Sequence, residues 1–378
     1  MPPCCPRIFA MLASRSLRLA TLIAGVVLVG CSAGAPVAGG TLLASRPVFL
    51  AGDFSLTDLS AGNDGTWWLL DGTQRLVAHF GADGSFLHSI GRRGAGPGEF
   101  EIPTAVGVSP SGDVVVVDVG LLRLSVFERP AREVASPEVR TFPLPGIVSE
   151  VLMGPGADFV TLVTEGLQGG RGPALSRVSL ATGAQDSVRH IWEAAPALAP
   201  TKGYLGRFHA AAILSSGAVV LANTRSPKTW IVDGEKPATA WNLPPSPSAL
   251  HWTSADAMAL FRARSGRPSN PLVKLDSAAF LARTVGTLKP QIAGTRLFVT
   301  DHQDFLWSVR YDAGGPVLKR YNRDGTEVGS MALSSLPILL RKAPSGVVLV
   351  SETNEGAIQL VRVGAVDGPR SSSNQMTR

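Results

Sequence analysis

A chain of 378 residues is long enough for two or three average domains, or for one large repetitive β architecture. Hydrophobic residues at 45% and charged residues at 17% exclude global disorder, and 41 Gly with 28 Pro, without a collagen-like period, demand a chain that turns often. The formal charge of +6 suggests nucleic acid only until Arg7, Arg15 and Arg18 are set aside with a leader segment, after which 32 basic residues face 29 acidic ones.

That leader comes first. Arg15 and Arg18 precede an uncharged apolar run from Leu19 to Gly30, too short for a spanning helix but right for the core of a signal peptide. The run ends in Leu28-Val29-Gly30-Cys31, which resembles the lipobox of bacterial lipoproteins. The resemblance implies that residues 1–30 are removed and that Cys31 becomes the acylated first residue. The protein would then be anchored in the cell envelope, at the outer membrane or the outer face of the inner membrane, facing the periplasm or the exterior. Ser32 implies the outer membrane where a sorting system exists. Met11 is an alternative start, since Met-Leu-Ala-Ser-Arg supplies a basic leader by itself. Cys4 and Cys5 leave with the leader, so no disulfide is available to the mature chain, and its core alone must stabilise it. Residues 31–46 are small and Gly/Ala/Ser-rich and read as a flexible tether.

From there the chain repeats. Short β-rich runs recur as Trp67–Leu70, Val114–Val117, Phe159–Val163, Ala218–Ala222, Phe305–Val309 and Val347–Val350. Turns such as Asn63-Asp64-Gly65, Ser111-Gly112-Asp113, Ser216-Gly217 and Ser345-Gly346 precede them and suit antiparallel hairpins. Four-stranded units every 40–50 residues or so predict a six-bladed β-propeller, an all-β fold. The second unit carries Gly91-Arg92-Arg93-Gly94-Ala95-Gly96-Pro97-Gly98-Glu99-Phe100, then Pro103, Gly107-Val108, Gly112, Asp118, Arg123 and Val126-Phe127. It resembles an NHL repeat. The first unit follows more loosely, and units three to six keep the strand pattern alone. The last blade shows only three strands, Ile338–Lys342, Val347–Glu352 and Ile358–Val363, so an N-terminal strand at Pro47–Asp53 is expected to close it. The propeller therefore spans 47–364, and 365–378 read as a disordered tail.

Loop length separates the two ends of the propeller. With strands lettered A to D in each blade, the A-to-B turns are tight, whereas the D-to-A connections include Gly91–Ile102, Glu193–Phe208 and an insert at 245–291 between blades 4 and 5. Such long loops usually carry function. The insert shows helix signals, with Ser254 as an N-cap ahead of Ala255, Met258, Leu260 and Phe261, Gly266 beyond the end, and a second helix over Ser277–Arg283. It is either a lid or a cover over the seam between blades 4 and 5.

The resemblance points to the central channel for any chemistry, because related six-bladed propellers include calcium-dependent lactonases and zinc-dependent lyases. Calcium needs six to eight oxygens. Asp58, Glu101 and Glu150 lie near the starts of innermost strands and are the candidates, while Thr57, Thr104, Ala210 and Leu339 occupy that region elsewhere. Zinc would need three converging ligands, and of His79, His88, His190, His209, His251 and His302 only His209 begins an A strand. No Gly-x-Ser-x-Gly elbow occurs, and Gly91–Gly96 lacks the helix that a phosphate-binding loop requires. The recurring pairs Asp71/Arg75 and Asp118/Arg123 read as structural turn devices or ion pairs.

The insert holds Arg262, Arg264, Arg267, Lys274, Arg283 and Lys289 against Asp256 and Asp276, and Lys202, Arg207, Arg225 and Lys228 adjoin it. Positive charge concentrated there would gather anions, so Arg207, His209, Arg225, Lys228, Arg262, Arg264 and Arg267 are the candidate ligand-binding residues, for an anionic glycan or acidic peptide. The expected protein is a monomeric, lipid-anchored binding platform acting through its loop-rich face, with a protein, peptide or glycan partner, no nucleic acid and no cofactor. The competing reading is a calcium- or zinc-dependent hydrolase or lyase of the channel.

Overall fold

The computed structural model describes residues 41–130, 138–156, 158–164, 173–191, 209–224, 228–244, 251, 253–254, 257–258, 276–286, 289, 292–293, 296–353 and 355–366. They form a six-bladed all-β propeller, each blade an antiparallel sheet in simple A-B-C-D order. Blade 1 comprises β3 (Asp58–Ala61), β4 (Trp67–Asp71), β5 (Leu76–Phe80) and β6 (Phe86–Ile90). Blade 2 comprises β9 (Pro103–Val108), β10 (Val114–Asp118), β11 (Arg123–Phe127) and β12 (Val139–Pro143). Blade 3 comprises β13 (Val148–Met153), β14 (Phe159–Thr164), β15 (Ala174–Ser179) and β16 (Gln185–His190). In blade 4 the strands are β17 (His209–Ile213), β18 (Val219–Asn223), β19 (Lys228–Val232) and β20 (Thr239–Asn242). In blade 5 they are β21 (Phe298–Thr300), β22 (Leu306–Asp312), β23 (Gly315–Tyr321) and β24 (Glu327–Ala332).

Blade 6 takes β25 (Leu339–Ala343), β26 (Gly346–Glu352) and β27 (Ile358–Val366) from the C-terminal end of the chain, and its outer strand from the N-terminal end. That outer strand is broken into β1 (Thr41–Ala44), paired with Val363–Val366, and β2 (Val48–Phe49), paired with Gln359 and Leu360. Pro47, which cannot donate to a ladder, lies in the gap. The closure expected from the sequence is present, but it is displaced: pairing starts at Thr41, inside the stretch read as tether, and the strand ends by Leu50 rather than Asp53. The last C strand likewise runs two residues past Gly364. Leu50 N–H still reaches the Ile358 carbonyl at 3.0 Å and Ala51 N–H the Gly84 carbonyl at 3.0 Å, stitching blade 6 to blade 1.

Apolar side chains on both faces of each sheet fill the wedges between blades, so the core is divided into six clusters, one per blade interface. The B strands show why: Val114 to Val117 are fully buried, alternating between the clusters on either side of blade 2. Leu42 of β1 and Leu50 beyond β2 join the wedges flanking blade 6, which makes the N-terminal segment part of the core.

A short helix between blades 4 and 5, α1 (Ser277–Thr284), is capped by Asp276, whose carboxylate accepts from Ala278 N–H at 2.9 Å. Most of the helix expected around Ser254 lies outside the described residues. Among the described residues, no helix is long and apolar enough to cross a membrane.

Candidate functional site: the central channel

The A strands enclose a cavity of about 370 Å³. Its rim is built from A-to-B turns, with Asn63, Pro110, Pro155, Ser215, His302 and Pro344 one from each blade, so the mouth lies at the end opposite the long D-to-A loops. A second depression of about 630 Å³, lined by His302, Gln303, Arg320, Pro344 and Arg362, lies at the same end between blades 5 and 6. The walls mix small and apolar residues, such as Ala61, Val106, Val108 and Ile213, with polar ones, such as Ser60, Thr300, His302 and Lys342. Gly107 keeps one side open, since a Cβ there would come within 2.7 Å of Met153 Sδ.

Towards the D-to-A end the lining becomes charged, with Asp58, Glu150, Arg296 and Arg341. Asp58, the first residue of β3, accepts from Arg341 Nη2 at 2.5 Å, from Leu59 N–H at 2.9 Å and from Val106 N–H at 3.1 Å. Burial pushes its carboxyl up, but Arg341 and Arg296 outweigh that and hold it below the usual carboxylate range. Arg341 also donates from Nε to the Leu59 carbonyl and from Nη1 to that of Leu340. Arg296, just ahead of blade 5, crosses the channel: its Nη1 donates to the Thr57 carbonyl at 2.7 Å and its Nη2 to the Thr104 carbonyl at 3.3 Å, in blades 1 and 2. The guanidinium bolts together blades on opposite sides of the ring.

Glu150 lines the channel next to a bulge in its strand. In β13 the pairing steps from Val148–Thr164 to Glu150–Val163, so Ser149 is the extra residue. Without it Val148 would share a side with Glu150 and Leu152. Instead Val148 packs between blades 2 and 3, and Leu152 between blades 3 and 4. Bulges re-aim side chains in this way. Among the described residues, Glu150 has no hydrogen-bond partner. Burial raises its pKa to about 7, against the pull of Arg341 and Arg296 and with a further push from Asp58. One carboxylate of this cluster is therefore neutralised by an ion pair and the other by a proton shared with solvent near neutral pH.

The three carboxylates considered for a metal are not brought together. Glu101 sits beyond the channel, in the loop before β9, where Arg75 Nη2 pairs with it at 3.6 Å. Asp58 is already engaged by a guanidinium. Among the described residues, no group of three or more His, Cys, Asp or Glu is placed to hold a metal ion.

The remaining sequence motifs resolve into structure. Asp71 accepts from the N–H groups of Ser55, Thr73 and Gln74, and Asp118 from those of Glu101, Ile102, Gly120 and Leu121. Both are turn devices, and neither pairs with the arginine that follows it. Arg123 instead donates to the carbonyls of Ala95, Gly96 and Glu99, while Glu99 accepts from Gly96 N–H and Arg92 Nε. The Gly91–Ile102 loop is thus closed on itself, with β7 (Arg92–Arg93) parallel to β8 (Glu99–Phe100). Of the basic candidates, Lys228 is exposed at the start of β19 and His209 begins β17. Arg207, Arg225, Arg262, Arg264 and Arg267, like Cys31, lie outside the described residues. Sequence reasoning missed Arg296 and Arg341 because it searched the strand starts for metal ligands. The available signal was a charged pair, Arg341-Lys342, in an otherwise apolar innermost strand.

No family model and no curated protein sequence matches the chain. Solved structures do match in fold. A member of the DUF4221 family from Bacteroides vulgatus aligns with 87% of this chain and 99% of its own at TM-score 0.51 and 11% identity. A candidate exported protein from Bacteroides fragilis aligns with 85% and 95% at TM-score 0.50 and 11% identity. A virginiamycin B lyase from Staphylococcus aureus aligns with 85% and 99% at TM-score 0.46 and 10% identity. At these identities the likeness shows the propeller fold alone.

Proposed function

We propose that the protein is an exported, lipid-anchored, NHL-like propeller that binds a ligand without transforming it, and that the ligand occupies the central channel from the A-to-B end. The observation that carries this reading is how the channel charges are used. Asp58 and both arginines are engaged in holding blades together, leaving a channel of mixed lining in which Val106, Val108, Val151, Ile213 and Phe298 supply apolar wall, Glu150 is the carboxyl without a hydrogen-bond partner among the described residues, and Lys342 and His302 are further polar groups of the lining. Pockets of roughly 300–1,000 Å³ with apolar walls and few polar groups are the usual form of small-molecule sites. The N-terminal strand supports the same orientation. Thr41 pairs with Val366, at the end of blade 6 where the mouth lies. Only residues 32–40 separate it from Cys31, a reach of no more than about 35 Å, so acylation of Cys31 would keep the mouth close to lipid.

The discriminating experiment is metal analysis of purified protein lacking residues 1–40. The binding reading expects no retained metal after dialysis against a weak chelator. Stoichiometric, tightly held calcium or zinc would sink it and restore the hydrolase or lyase reading.

A further inference from the structure

Resting on the channel reading, the class of ligand follows from which polar atoms remain free. The Arg296 Nη1 and Nη2 groups donate to the Thr57 and Thr104 carbonyls, and Arg341 donates to Asp58 and to main-chain carbonyls. An anionic ligand would therefore find these donors occupied and two carboxyl groups beside them, and Lys342, the other cation of the lining, is under the influence of Asp301 and Asp304. An ammonium would face two guanidinium groups at short range in a site of low dielectric, where like charges repel strongly. What the channel offers is the Glu150 carboxyl, which is half-buried, lines the cavity and has no hydrogen-bond partner among the described residues. Above it the walls present Val108, Val151, Met153, Ile213, Phe298 and Val299.

We infer that the channel takes an uncharged amphiphile, its hydroxyl or amide N–H donating to the Glu150 carboxyl at the deep end and its apolar body lying along the walls towards the A-to-B mouth. The ligand supplies the hydrogen bond that Glu150 lacks, while dry apolar contact supplies most of the affinity.

The test uses three isosteric fluorescent probes, 2-naphthalenemethanol, 2-naphthalenemethylamine and 2-naphthoate, titrated against the protein lacking residues 1–40. Variants are Glu150→Leu, Glu150→Gln and Gly154→Trp. Gly154 lies in the blade 3 A-to-B turn, where a Cβ would meet Ile213 Cδ1 at an ordinary 3.5 Å, so a large side chain there narrows the mouth without straining the backbone. The alcohol is expected to bind at least tenfold more tightly than the amine or the carboxylate. Glu150→Leu should remove that preference, Glu150→Gln should restore it through the amide oxygen, and Gly154→Trp should abolish binding of all three. If the alcohol binds Glu150→Leu as well as it binds the parent, yet Gly154→Trp blocks it, the Glu150 inference is overturned and the channel reading stands. If Gly154→Trp changes nothing, or no probe binds up to millimolar concentration, both are overturned.

Discussion

Arg341 Nη2 lies 2.5 Å from Asp58 Oδ1, an ion pair joining the innermost strand of the last blade to that of the first. Because Asp58 also accepts from Val106 N–H, one carboxylate ties three consecutive blades across the seam where the chain's two ends meet. Breaking a buried pair from one side leaves a stranded charge, which typically costs about 3–5 kcal/mol, whereas replacing both partners by apolar groups costs far less. Arg341→Met is therefore expected to lower the melting temperature sharply, and Asp58→Leu combined with Arg341→Met to recover part of the loss. A double-mutant cycle by chemical denaturation checks this. Additive losses would show that the two residues act separately.

Glu150 gives a pH dependence of opposite sign to that of a paired carboxylate. Its folded pKa is raised to about 7 from an ordinary value near 4.5, so the native state binds more protons than the unfolded state between those limits. Stability from this group is complete below pH 4.5 and is lost as pH rises through 7, by at most about 3 kcal/mol. Glu150→Gln should be more stable than the parent at pH 8 and indistinguishable from it at pH 4.5. Urea melts at the two pH values decide the matter, and equal midpoints at pH 8 would refute the protonation state assigned to the channel.

His79 acts in the other direction. It stacks on Trp68 with ring centroids 3.8 Å apart and an interplanar angle of 11°, beside His88 at 4.9 Å. Burial first, and His88 second, lower its pKa to about 4, against a smaller opposing effect of Asp64. The unfolded chain then binds the extra proton between about pH 6.5 and 4, so stability falls across that window as the pH drops. His79→Phe preserves the stack and should flatten the acid limb of the stability curve. A variant whose acid unfolding follows the parent's would place the sensitivity elsewhere.

Legibility in the sequence followed locality. Tight turns and runs such as Val114–Val117 announce a propeller because strand, turn and period are all short-range features. The N-terminal strand was legible as a need, from the missing fourth strand, but not in register. Pairing with β27 is set by a partner more than 300 residues away, and Thr41–Ala44 reads by composition like linker. The channel was half legible. Asp58 and Glu150 were found by position in their strands, whereas Glu101 falls outside the channel lining, in the loop before β9, where its N–H donates to Asp118 and its carboxylate pairs with Arg75. The guanidinium that crosses from Arg296 to blades 1 and 2 could not be read at all, since only ring closure brings residue 296 near residues 57 and 104.

The displaced strand makes its own prediction. Leu42 and Leu50 are both buried in the wedges beside blade 6, so deletion of residues 41–53 removes core as well as a sheet edge. Burying a leucine is worth about 1.5–3 kcal/mol, and loss of the strand also exposes the β27 ladder. Deleting 1–53 is expected to lower the melting temperature far more than deleting 1–40, and deleting 367–378 to leave it close to the parent value. Equal melting of the three truncations would show that the N-terminal strand does not close the ring.

The basic sector between blades 4 and 5 calls for a test separate from the channel. The insert carries six basic residues against two acidic ones, whereas residues 31–378 as a whole carry 32 against 29. A concentration of charge of this kind attracts anions over about a Debye length and weakens as salt rises. An anionic glycan or acidic peptide is the proposed second ligand class, with heparin-derived octasaccharide and hexaglutamate as probes. Changing Arg262, Arg264 and Arg267 together to Ser should reduce retention of both probes severalfold at low ionic strength, and the difference should vanish by about 0.5 M salt, where the screening length is only a few ångströms. The Gly154→Trp channel variant should retain both probes at the parent level. Retention unaffected by the triple substitution would remove the anion-binding role of this sector and leave it a solvated surface.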